Sequence, residues 1–116
     1  MVEMAIVLPL LIMLVFGTIH FGIAFNRLQA FHAAAREGAR TASIPSNDYG
    51  DVSSAVTAAM VGITDEYDAP SVDPGGCDGR RGDPVTVEVV GTYTISIPLL
   101  PNVDIDLTGR GVFRCE

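Results

Sequence analysis

Lysine is missing from this chain of 116 residues, so its seven cationic side chains are all arginines, set against 14 acids for a net charge of −7. The acids crowd after residue 47, at Asp48, Asp51, Asp65, Glu66, Asp68, Asp73, Asp78 and Asp83. No basic stripe is available to neutralise a phosphate backbone, which excludes nucleic acid as a partner. Cysteine is scarce too, with only Cys77 and Cys115. Two cysteines cannot frame a Cys-rich zinc site. Their even number reads as one disulfide formed outside a reducing cytosol, with two buried free thiols as the alternative.

Histidine is equally sparse. His20 and His32 would lie about 18 Å apart on one helix at ~1.5 Å per residue, so they cannot share a metal, and each is expected in or near an apolar layer. No serine or threonine lies near a histidine in sequence except Thr18, beside His20 in an apolar run, so no nucleophile–base–orienter set can be assembled. Glycines 75, 76, 79 and 82 lack the strand before and helix after that a phosphate loop requires. The acids between residues 65 and 83 do not follow the spacing of a calcium-binding hand, and a solvated acidic loop is the expected reading. Arg81-Gly82-Asp83 is a tripeptide linked elsewhere to receptor binding, but three residues of a Gly-rich loop recur easily by chance. Catalytic residues, cofactors, metal ligands and a small-molecule substrate are therefore not expected, and the chain reads as a non-enzyme.

What the sequence does have is a long uncharged run. Residues 4–25, MAIVLPLLIMLVFGTIHFGIAF, contain no Asp, Glu, Lys or Arg. As a helix they extend about 33 Å, enough to cross the ~30 Å hydrocarbon layer of a bilayer. The run is too long for the apolar core of a signal peptide, has no basic stretch before it and no small-residue cleavage site after it. Residues 26–42, NRLQAFHAAAREGARTA, are Ala-rich and free of proline, which favours continuation of the same helix. Pro45 sets its end near Ser43 or Ile44.

Within that helix, Glu3 opens the apolar run. Its charge either favours the helix N-terminus or neutralises an α-amino group inside an apolar assembly. Pro9, Gly17 and Gly22 are soft points where the helix could locally unwind on leaving lipid, or features that a lipid-spanning helix simply tolerates. Ala30, Ala34 and Gly38 form one small-residue set, and Ala35, Ala39 and Ala42 another. Each permits close backbone approach, either to neighbouring helices or to the protein's own sheet.

The remaining residues, 45–116, are too few to build a core worth much more than ~3–5 kcal/mol without a staple or a partner. Val52, Ala55, Val56, Ala59 and Met60 recur at helical spacing, with Asp51 as the expected N-cap and Gly62 near the end. Residues 64–84 read as loop with a short strand near 71–73. Two strands then alternate cleanly. Val85, Val87, Val89, Tyr93, Ile95 and Ile97 share one face of the first, and Val103, Ile105, Leu107 and Phe113 one face of the second. That apolar face needs a cover, and the second half of the long helix is the only element of suitable size. Cys115, at the end of the last strand, can reach back to Cys77.

The run VEMAIVLPLLIMLVFGTIHFGIAF followed by AAREGAR at residues 34–40 resembles the TadE/TadG-like family of pilin-related proteins. The closing VTVEVVGTYTISIPLLP and IDLTGRGVFR resemble that family's final strands more loosely. The resemblance implies a pilin-like α+β fold, in which a long N-terminal helix with an apolar first half packs through its C-terminal half on a small antiparallel sheet. It implies two parts. Residues 1–25 would be a transmembrane or filament-core segment. Residues 26–116 would be a head holding the helix to about 44, a short helix over about 52–61 and strands over about 85–97 and 103–115. It further implies export as a prepilin, removal of a basic leader by a prepilin peptidase, and a place in a Tad-type pilus as major or minor subunit. Residence would be in the inner membrane and then in an extracellular filament, the partners being copies of the chain or other pilins. Removal of that leader would also settle the orientation. Arg27, Arg36 and Arg40 after the span would otherwise draw the head toward the cytoplasm. Glu3 matches the near-N-terminal glutamate that such pilins use for register, although the family places it further from the mature amino end. The assembly residues expected are thus Glu3, Pro9, Gly17, Gly22, Ala34 and Gly38. A monomeric membrane anchor whose head binds a partner is the competing expectation.

Overall fold

The computed structural model describes residues 2–63 and 66–116. Met1 and two residues of the acidic segment, Thr64 and Asp65, lie outside the described residues. One helix, α1 (Val2–Ala42), accounts for the first third of the chain, and it sets the molecule's 73 Å length against a width of about 21 Å. It passes through Pro9 without interruption. It ends where Ser43 donates its backbone N–H to Ala39 and its hydroxyl to the Arg40 carbonyl, two residues before Pro45.

A second helix, α2 (Tyr49–Ala59), packs across the C-terminal half of α1 through Val52 and Val56. Its start corrects the expectation from sequence. Asp48, not Asp51, is the N-cap, and Asp51 is the third helical residue, whose carboxylate accepts the Asp48 backbone N–H at 3.2 Å. The two aspartates form a reciprocal capping box, so the cap lies three residues before the position that apolar periodicity indicates. The C-terminal end closes at Met60, ahead of Gly62.

Three antiparallel strands, β1 (Ser71–Asp73), β2 (Pro84–Ile95) and β3 (Val103–Arg114), form a sheet in the order β1-β2-β3. The β2–β3 register pairs Val85 with Phe113, Val89 with Gly109 and Ile95 with Val103. The even-numbered positions of both strands therefore face solvent. The inward face meets α1 along Phe31, Ala34, Ala35, Ala39 and Ala42, which are buried with Val85, Val87, Val89 and Leu107. The architecture is α+β and pilin-like: a long helix with a three-stranded sheet docked on its second half.

The closeness of that docking is written into β3. A methyl group on Gly109 would collide with the Phe31 carbonyl, and one on Gly111 with the Ala35 carbonyl. Glycine at these two inward positions lets the sheet rest directly on the helix backbone. The Ala-rich face of α1 is the matching half of the contact.

Candidate assembly surface

The N-terminal half of α1 projects from the head and meets it only near its end, around His20. No residue of the helix before Ala24 is buried. Val2, Ile6, Leu10 and Phe21 are each about 70% exposed. Val7, Leu8, Leu11 and Ile12 are exposed too, so apolar side chains cover every side of the helix. A helix that is apolar all round is stable only in lipid or surrounded by other apolar helices. At ~1.5–3 kcal/mol for each large apolar side chain fully buried, this surface favours leaving water by on the order of 20 kcal/mol or more. By length and composition it is sufficient to cross a membrane.

Polar groups in this half are few and are locally satisfied. The Thr18 hydroxyl donates to the Val15 carbonyl at 2.8 Å. The His20 ring nitrogen Nδ1 and the Tyr93 hydroxyl share a hydrogen bond of 3.0 Å, which ties α1 to β2. Glu3 stands exposed in the first turn, next to the helix's positive end.

The six residues that the sequence suggests for assembly separate into two groups. Glu3, Pro9, Gly17 and Gly22 lie on the projecting half. Gly17 and Gly22 have open space where a side chain would be. Ala34 and Gly38 are buried inside the head, and a methyl group on Gly38 would come within 2.7 Å of Val56. Their smallness is used within the subunit, by α2 and the sheet, and so is that of Ala35, Ala39 and Ala42.

Cys77 and Cys115 form a disulfide with Cα atoms 5.4 Å apart. It closes the Gly-rich loop against the end of β3, helped by backbone bonds from Gly82 to the Cys115 carbonyl and from Cys115 to the Asp83 carbonyl, each 2.8 Å. The Arg81-Gly82-Asp83 tripeptide belongs to this closure, and Arg114 donates to the Gly82 carbonyl. The C-terminal residue is tied to the end of α1 by a bond from the Glu116 N–H to the Ser43 carbonyl.

His32 does not sit in an apolar layer. Its Nδ1 accepts the Arg110 backbone N–H at 3.2 Å, beside the Gly109 contact. Among the described residues, no three or more His, Cys, Asp or Glu side chains gather so as to hold a metal ion. Sequence reasoning missed the two histidine bonds to the sheet and the two glycines of β3. Only the placement of Gly109 and Gly111 in phase with Ile105 and Leu107 could have revealed the latter.

Residues 1–40 match the model of the TadE-like protein family. No curated protein and no solved structure matches the chain.

Proposed function

From the premise that residues 1–40 form a TadE-like domain, we propose that this protein is a structural subunit of a Tad-like type IV pilus, polymerising through α1. The observation that carries the reading is the largely apolar N-terminal half of a helix, with no residue buried before Ala24, whose other half is locked to a head. Before assembly, residues 4–25 lie in the inner membrane with the head outside. During assembly, neighbouring copies of the chain or other pilins replace lipid around the same side chains, so the apolar surface never enters water. The heads then tile the exterior as either the bulk component or a low-copy one.

Glu3 supplies register in this scheme. An ionised carboxylate inside an apolar bundle is costly unless paired. The α-amino group exposed by processing, on the same or a neighbouring subunit, is its natural partner. Pro9, Gly17 and Gly22 allow the helix to adjust locally as it moves from lipid to protein. The role is structural, and no reacting group takes part.

The test is Glu3→Ala, read by membrane insertion and by electron microscopy of sheared surface fibres. A polymerising subunit inserts normally but loses incorporation into fibres. Unchanged incorporation would leave a simple anchor as the better description.

A further inference from the structure

We propose that the β2–β3 hairpin tip, residues 96–102, is a second membrane-contacting element that inserts into the outer face of the bilayer beside α1, with lipid as its ligand. This rests on the membrane residence of α1 proposed above.

Three observations converge. The tip reads Ser-Ile-Pro-Leu-Leu-Pro-Asn and carries no charge. Leu99 is 83% exposed and sits at φ 73°, in the left-handed region that branched and bulky residues avoid. The chain thus accepts a strained backbone at one of its most exposed apolar residues, and such strain gathers at sites with a function. Backbone donors at the tip are few, since Pro98 and Pro101 have no N–H and the Leu100 N–H is bonded to the Ile97 carbonyl. That lowers the cost of entering a poorly hydrated layer.

The tip's depth follows from its contacts. Tyr93 meets His20, and an open groove of about 300 Å³ runs past them, lined from Gly17 to Leu28 on α1 and by Ile95, Ile97, Ile105 and Leu107 of the hairpin. Gly109 lies at Phe31 and Gly111 at Ala35, so β3 runs in the same direction as α1, and the tip that precedes Val103 points along the uncharged run toward the helix N-terminus.

Charge ends together on both elements. On α1 the first charged residue after the run is Arg27. On the hairpin the charges nearest the tip are Glu88 before it and Asp104 after it, and the Asp104 carboxylate accepts the Thr94 hydroxyl at 2.6 Å. From the Thr94–Asp104 pair onward the hairpin carries no charge, and neither does α1 from residue 26 back to residue 4. Two elements remote in sequence thus run on toward the tip without charge, as they would within the lipid layer of a bilayer. Acyl chains are the occupants whose chemistry fits the groove.

The chain has no tryptophan, so single probes can be placed. Full-length Leu99→Trp, Leu100→Trp, Leu11→Trp and Arg81→Trp would be reconstituted in phosphatidylcholine vesicles with brominated acyl chains, and the emission compared with that in unbrominated vesicles. Insertion predicts strong quenching at Leu11 and at both tip positions, and none at Arg81 on the far end of the head. Quenching at Leu11 alone, with the tip open to aqueous acrylamide, overturns the tip proposal and leaves membrane residence standing. A tip shielded from both quenchers is covered by a second copy, which overturns lipid as the ligand. Absence of quenching at Leu11 overturns the membrane reading itself.

Discussion

Gly109 and Gly111 bear more of the helix–sheet contact than any large side chain of β3, because each occupies the one spot where the helix backbone leaves no room. Overpacking a filled interior costs about 1–3 kcal/mol, and more where backbone rather than a flexible side chain must move. Gly109→Ala is therefore expected to destabilise the head by at least ~2 kcal/mol. Gly109→Val should prevent docking of β3 on α1. Denaturant unfolding in detergent, followed by tyrosine fluorescence, measures both. Gly91 is the internal comparison, since a methyl group there meets the ring of Phe31 and the Glu66 carbonyl rather than the helix backbone. These glycines were hard to read from sequence. Alternation marks a buried face by its apolar side chains, and a residue without a side chain leaves the pattern silent at the closest contact. The His32 bond was hidden for a related reason, as it joins residues 78 apart in sequence.

At the scale of elements, legibility followed the length of the repeating signal. The alternation from Val85 to Ile95 and from Val103 to Leu107 located both long strands and their inward faces. The absence of charge from residues 4–25 and of proline from residues 10–42 marked a single helix that continues beyond the membrane-length run. The short elements were less legible at their ends. Apolar spacing finds where a helix packs, whereas its first residue is set by the Asp48–Asp51 box, which carries no apolar signal. The loop between β1 and β2 has no periodicity at all and depends on its staple. Cys77–Cys115 spans 38 residues, for which chain entropy gives ~4 kcal/mol. That is comparable with the whole of what so small a core supplies. Cys77→Ser together with Cys115→Ser, or reduction of the native chain, is expected to lower the head's melting temperature by more than about 10 °C, taking ~4–8 °C per kcal/mol for a domain of this size. Differential scanning calorimetry with and without reductant checks this. Replacing both cysteines avoids leaving a free thiol and isolates the link itself.

For the molecule as a whole, the division of labour along α1 makes a separable prediction. The head's core begins at Ala24 and involves residues 31–42 of the helix, the sheet and α2. The projecting half contributes no buried side chain before Ala24. The His20–Tyr93 bond links that half to the head. Removing residues 2–19 should therefore leave the core and the disulfide intact while deleting the apolar surface that drives the chain out of water. The shortened chain is expected to be a soluble monomer with the Cys77–Cys115 link formed. The full chain should partition into membranes and require detergent for extraction. Sedimentation equilibrium of the shortened chain, with far-ultraviolet circular dichroism to confirm its helix and sheet, measures the first half of this expectation. Membrane fractionation measures the second. Aggregation of the shortened chain despite a native spectrum would mean that the head has an apolar face of its own to cover. Loss of the native spectrum would mean that the projecting half supports the fold as well as membrane insertion. A native monomer would assign the first half of α1 to environment and assembly alone, and the second half to holding the head.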